Sequence, residues 1–197
     1  MRAIFLDIET TGLDPRKHHA IDIAFKIIDF NQKQTLITYQ SVIQQDLSAW
    51  DKRDLASIEV NGYSFEDIAG GKSREQIAHE IIRVFTHFQI ARGNAFFLCQ
   101  NPSFDRGFFT QIIDVYQQEK LNWPYHWLDL ASMFWATVVQ KSLKEKGNLP
   151  ETLNLSKNEI ARVFQIPAEE NPHRALKGVE HLIQCYEAVL NEKNLHI

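Results

Sequence analysis

Apolar residues alternate or cluster in short runs through the first third of the chain. AIFLDI (Ala3 to Ile8) is an apolar strand that ends in carboxylates, and HAIDIAFKIID (His19 to Asp29) and QTLITYQSVI (Gln34 to Ile43) alternate enough to be strands two and three. The polar DFNQKQ between the latter two reads as a turn, so an antiparallel meander is expected to open the fold. From Leu47 to Gly71 the pattern is irregular, with a short helix expected at DLASIEV and a turn at Asn61-Gly62; this stretch reads as a variable insertion.

Beyond it the period changes. SREQIAHEIIRVFTHF returns Ile77, Ile81, Val84 and Phe88 at helical spacing, with Ser73 placed to cap. NAFFLCQN (Asn94 to Asn101) is a buried strand, and Ser103 to Lys120 reads as one helix. HWLDLASMFWATVVQ holds a strand edge and then a helix. LNLSKNEIARVF is a short helix with a capping box, Ser156 followed three residues later by Glu159. The last helix is expected from near His173 to about Asn191, with Pro172 in its first turn. Strands first, then alternating strands and helices, predict an α/β fold in one domain over residues 1–197, without internal repeats.

Composition narrows the classes. With 44% hydrophobic and 23% charged residues the chain is globular rather than disordered. Thirteen Phe and four Trp supply bulky core or groove material. The formal net charge of −4 neither demands nor excludes a nucleic-acid partner. Cys99 and Cys185 lie in apolar runs and read as buried free thiols, with no disulfide framework or paired-cysteine zinc site. The opening MRAIFLDIE turns acidic too soon for a signal peptide, and no uncharged apolar run reaches membrane-spanning length. A cytoplasmic protein without a membrane partner is therefore expected.

The candidate chemistry lies where apolar runs end in acids. Asp7 and Glu9 are two apart on an extended chain, so they share a face. Their mutual repulsion is relieved by a divalent cation that uses both as oxygen ligands, although a solvated strand end reads equally well from DIE alone. Asp105 follows another apolar strand near a helix start, where the helix dipole alone also favours a carboxylate. Phe104 beside it reads as core or as a platform for a nucleobase. His173 follows the polar PAEENP, and a position in a first helical turn favours its neutral form, which suits a general base.

In this order DIETTG, NPSFD and PHRAL resemble the three exonuclease motifs of the DEDDh branch of the DnaQ-like 3′–5′ exonucleases, which include polymerase proofreading subunits and ribonuclease T. The likeness runs from about Met1 to Leu190; WLDLASM with Asp129 and IDIAFKI with Asp22 also resemble family segments. It implies a ribonuclease H-like fold, a five-stranded mixed sheet flanked by helices. It further implies two divalent cations, Mg²⁺ or Mn²⁺, with Asp7 bridging them, Glu9 completing one and contacting the attacking water, and Asp105 holding the other. His173 would take the proton, while Thr10, Thr11, Asn101 and Phe104 match positions at or near the terminal nucleotide. The implied activity releases nucleoside 5′-monophosphates from a single-stranded or frayed 3′ end of DNA or RNA. The alternative is a catalytically weak or inactive nucleic-acid-binding module of the same fold. A polymerase partner and a homodimer are both open under the resemblance.

One position departs from the family pattern. The Asp expected five residues after the histidine, a direct metal ligand in the family, is Gly178 here. Helix propensity does not explain it, because glycine weakens a helix by up to about 1 kcal/mol. Glu180, about 200° further around the helix, is expected to face away, and Lys177 to face solvent. His181 shares a face with Gly178 and could approach the gap, as could a water.

Overall fold

The computed structural model describes residues 1–191, and β1 (Arg2–Thr10) is its organising strand. Antiparallel partners β2 (Ala20–Asp29) and β3 (Gln34–Val42) complete the expected meander on one side. On the other side β4 (Ala95–Cys99) and β5 (Trp127–Asp129) run parallel to β1 and to each other. The resulting five-stranded mixed sheet has the order β3-β2-β1-β4-β5. It matches the α/β, ribonuclease H-like expectation.

Strand parity sorts the core into two layers. Ile4, Leu6 and Ile8 join Phe25, Phe85, Phe97 and Phe109 on one face, beneath α4 (Arg74–His87) and α5 (Pro102–Phe109). Ala3 and Phe5 join Leu130, Phe134, Val179, Leu182 and Tyr186 on the other, beneath α7 (Leu130–Glu145), α8 (Lys157–Val163) and α9 (Ala175–Asn191). Asp7 and Glu9 continue the second series, so the period of two aims both acids at the α9 side. Asp7 lies opposite Ala24, a small partner that leaves room there.

Several expectations change in detail. Ser103 to Lys120 is two helices, α5 and α6 (Val115–Lys120). The break comes from Asp114, whose carboxylate accepts the Tyr116 and Gln117 N–H groups and starts a new helix. Ser156 caps α8 by accepting the Glu159 N–H, but Glu159 pairs with Arg162 instead of closing the box. Ser73 and Gln76 do form a complete box on α4. The last helix begins at Ala175, so Pro172 and His173 precede it.

The stretch from Leu47 to Gly71 is no loose excursion. It carries α1 (Leu47–Trp50), α2 (Leu55–Asn61) and α3 (Phe65–Ala69), and packs Trp50, Tyr63 and Ile68 on Ile21. Asn61 donates its side-chain N–H to the Thr10 carbonyl at 3.0 Å, which ties α2 to the end of β1. Both cysteines are buried and free. Among the described residues, no helix is long and apolar enough to cross a membrane.

Candidate active site

The parallel strands β1 and β4 end side by side, and a crevice opens beyond their carboxyl ends, as is usual where strand order reverses in an open sheet. Asp7 and Glu9 project into it from β1. The chain leaves β4 through Gln100 and turns sharply at Asn101, whose φ of 58° is left-handed, so that α5 carries Asp105 back to the same crevice. His173 enters from the far side. Its backbone N–H donates to the Val60 carbonyl at 3.0 Å, so α2 sets its position. These four side chains line one cavity of about 310 Å³.

A second cleft of about 300 Å³ adjoins it, lined by Ile8, Glu9, Thr10, Leu13, Val60 and Phe104 among others. Ile8, Glu9 and Phe104 belong to both, so an apolar slot and an acidic one share a wall. Not every candidate reaches this wall. Thr10 lines the slot, but its hydroxyl is turned to the Gly12 carbonyl at 2.8 Å. Thr11 is fully buried and accepts the His19 N–H, holding the turn after β1. Asn101 lines neither cleft; its N–H binds Asp129, which caps α7.

The acids stand in a demanding environment. Burial pushes the Asp7 carboxyl up, and Glu169 adds to this while Lys157 opposes it. Glu9 is pushed up to about 8 by burial and then by Asp7. Asp105 is raised well above the carboxylate range by burial and then by Asp7. Crowding and burial favour the protonated forms of such carboxyls, and a close cation opposes this.

Two charged residues of the cavity have no counterpart among the sequence candidates, Lys157 at the start of α8 and Glu169 before α9. Lys157 Nζ lies 2.8 Å from Glu169 Oε2, 3.5 Å from Asp7 Oδ1 and 3.4 Å from the Gly178 carbonyl. Burial works against its charge, yet Asp7 and Glu169 outweigh burial and raise its pKa. Glu169 Oε1 is buried without a hydrogen-bond partner. A Cβ on Gly178 would lie 2.2 Å from Asp7 Oδ2, so the Asp7 carboxylate fills the space that a side chain at 178 would need. His181 does not fill the gap: its Nε2 is bonded to the Pro167 carbonyl at 2.9 Å. Glu180 faces away, onto Lys26, and Lys177 is exposed beside Glu170.

Asp22 has a structural part. It is fully buried and accepts the Ala175 N–H at the start of α9, the Tyr63 hydroxyl and the Gln40 amide. Tyr63 stacks under the Arg174 guanidinium at 4.0 Å, and Arg174 binds the Asn61 and His173 carbonyls. This chain of contacts fixes the backbone at His173.

No group of three His, Cys, Asp or Glu side chains among the described residues is arranged to hold a metal ion as it stands. The donor chemistry nonetheless fits a hard divalent cation: Asp7, Glu9 and Asp105 offer only oxygen, and their raised protonation is what such a cation would reverse.

Comparison with known proteins agrees with this fold. Exonuclease I of E. coli in complex with a dT13 oligonucleotide superposes with a TM-score of 0.72 at 17% identity, over 98% of this chain and 41% of that one. The same enzyme is also known in a zinc-bound form with single-stranded DNA. Cell-death related nuclease 4 gives 0.71 at 12% identity, over 98% and 64%. A 3′-exonuclease that recognises the histone mRNA stem-loop gives 0.67 at 12% identity, over 100% and 66%. The chain thus spans about two fifths of the length of Exonuclease I. No curated protein sequence matches. The exonuclease family model, RNase_T, matches residues 4–186, and the chain belongs to that DnaQ-like exonuclease family.

Proposed function

We propose that residues 1–197 form one exonuclease-like domain, a metal-dependent 3′–5′ exonuclease acting on single-stranded or frayed 3′ ends of DNA or RNA. One observation carries the reading: Asp7, Glu9, Asp105 and His173 line a single cavity that shares Phe104 with an apolar slot. A terminal base fits the slot against Phe104, and the adjoining phosphodiester then faces the acids. An anionic phosphate beside carboxylates is repelled unless cations intervene. Asp7, Glu9 and Asp105 would hold Mg²⁺ or Mn²⁺, which when bound polarises the phosphate and lowers the pKa of the attacking water. His173, which lines the same cavity, accepts the proton of that water. The apolar slot excludes water from the face of the base and orients the 3′ end. The product is a nucleoside 5′-monophosphate, and a cytoplasmic location is consistent with this reading.

The test is cleavage of 5′-labelled single-stranded DNA and RNA with Mg²⁺ or Mn²⁺, beside Asp7→Ala. Stepwise shortening from the 3′ end that disappears in Asp7→Ala supports the reading, and the faster polymer names the substrate. Activity that survives in Asp7→Ala refutes it. A second reading, a binding module with little turnover, is favoured by Lys157 lying against Asp7. It predicts 3′-end binding by fluorescence anisotropy without shortening.

A further inference from the structure

We infer that the Lys157 ammonium takes the place of one of the two divalent cations, so that this chain binds a single divalent ion, with Glu169 as the carboxylate that anchors the lysine. The inference rests on the nuclease reading above and deepens it. Three observations converge. First, the ammonium sits against the residue that departs from the family pattern: its nearest backbone acceptor is the Gly178 carbonyl at 3.4 Å. Second, the Asp7 carboxylate occupies the volume that a side chain at 178 would need, with Oδ2 only 2.2 Å from where a Cβ would be, while Oδ1 faces Lys157 at 3.5 Å. Third, Glu169 supplies a buried carboxylate from a different segment, with its side chain 2% exposed and 2.8 Å from the ammonium.

Lys157 is not a surface lysine that happens to reach inward. Its side chain is 12% exposed, and its three polar neighbours are all acceptors. A buried ammonium is stable only with such partners, and a buried Glu169 only with such a cation. The glycine at 178 and the Lys157–Glu169 pair therefore belong to one arrangement. Lys157 brings to Asp7 one fixed positive charge that no chelator removes. Asp7, Glu9 and Asp105 keep oxygen donors for one divalent ion beside it.

The number of Mn²⁺ ions bound tests this without any turnover. Isothermal titration and electron paramagnetic resonance of the full chain, carried to millimolar Mn²⁺, should give one ion per chain. Lys157→Ala should take up a second ion, Lys157→Arg should stay at one, and Glu169→Gln in the Lys157→Ala background should return it to one. Circular dichroism verifies that each variant is folded, and Lys157→Gln, which keeps the stem, replaces Lys157→Ala should the latter unfold. Two ions in the parent chain overturn the inference and leave the metal-nuclease reading standing. One ion in both the parent and a folded Lys157→Ala also overturns it. No ion in the parent, together with no metal-dependent cleavage, overturns both.

Discussion

The resemblance to the exonuclease motifs would place a carboxylate at position 178, and the space around Gly178 does not admit one on its own. In Gly178→Asp the new Cβ would lie 2.2 Å from Asp7 Oδ2, 2.6 Å from its Cγ and 3.1 Å from Oδ1. These atoms belong to a half-buried side chain already engaged by Lys157, so either Asp7 or α9 must shift. Replacing glycine inside a helix returns up to about 1 kcal/mol of propensity. Overpacking costs about 1–3 kcal/mol. A second carboxylate about 4 Å from Asp7 adds repulsion of up to about 4 kcal/mol at an effective dielectric of about 20, discounted by whatever protonation relieves it. Gly178→Ala, which carries only the steric part, should lose about 1 kcal/mol in urea denaturation with chelator present. Gly178→Asp should lose about 3 kcal/mol in the same assay. Nuclease activity of Gly178→Asp should not exceed that of the parent, and it should rise once Lys157→Ala is added. A Gly178→Ala protein more stable than the parent would refute the reasoning, since Asp7 would then have left that volume freely. A tenfold gain in activity from Gly178→Asp alone would refute it equally.

Other outcomes follow from the same site. Because burial raises the pKa values of Asp7, Glu9 and Asp105 in the folded chain, the folded state binds more protons than the unfolded one. Metal-free stability should therefore fall as pH rises from about 4.5, the ordinary value for Glu9, through about 8, its folded value. Glu9→Gln should flatten that slope in chelator-containing melts, and an unchanged slope would show that Glu9 is not responsible. Phe104→Ala removes the wall common to both clefts and should raise KM about tenfold, from stacking worth about 1–3 kcal/mol per base, with a smaller change in kcat. Asp22→Ala strips the start of α9 of a cap and leaves the Tyr63 hydroxyl without its acceptor, which should cost about 3 kcal/mol in denaturant melts. It should also lower kcat more than KM, because the Tyr63–Arg174 contact that positions His173 is loosened.

The sheet was legible because a period of two is a local property. Alternation in β1 placed Ile4, Leu6 and Ile8 on one face and aimed Asp7 and Glu9 at the other, and both acids do line one cavity. Asp105 and His173 were legible as polar residues next to apolar elements. What was not legible was tertiary. Lys157 looked like an ordinary residue following a helix cap, and Glu169 like one more charge in PAEENP. Their pairing depends on how α8 folds back against α9, which no local period encodes. His181 was the nearer candidate by helical spacing, yet the Pro167 carbonyl claims it. The split between α5 and α6 was missed because Asp114 competes for backbone N–H groups inside an otherwise helical pattern.

Lys157, Glu169, His173 and Gly178 all come from one stretch of 156–178, whereas Asp7 and Glu9 belong to β1. That stretch is one contiguous unit of sequence. A graft between relatives that moved it whole would carry Lys157, Glu169, His173 and Gly178 together onto an unchanged β1. A crossover inside it would separate the lysine from the glycine that makes room for its arrangement, and would produce either a crowded site or an empty one.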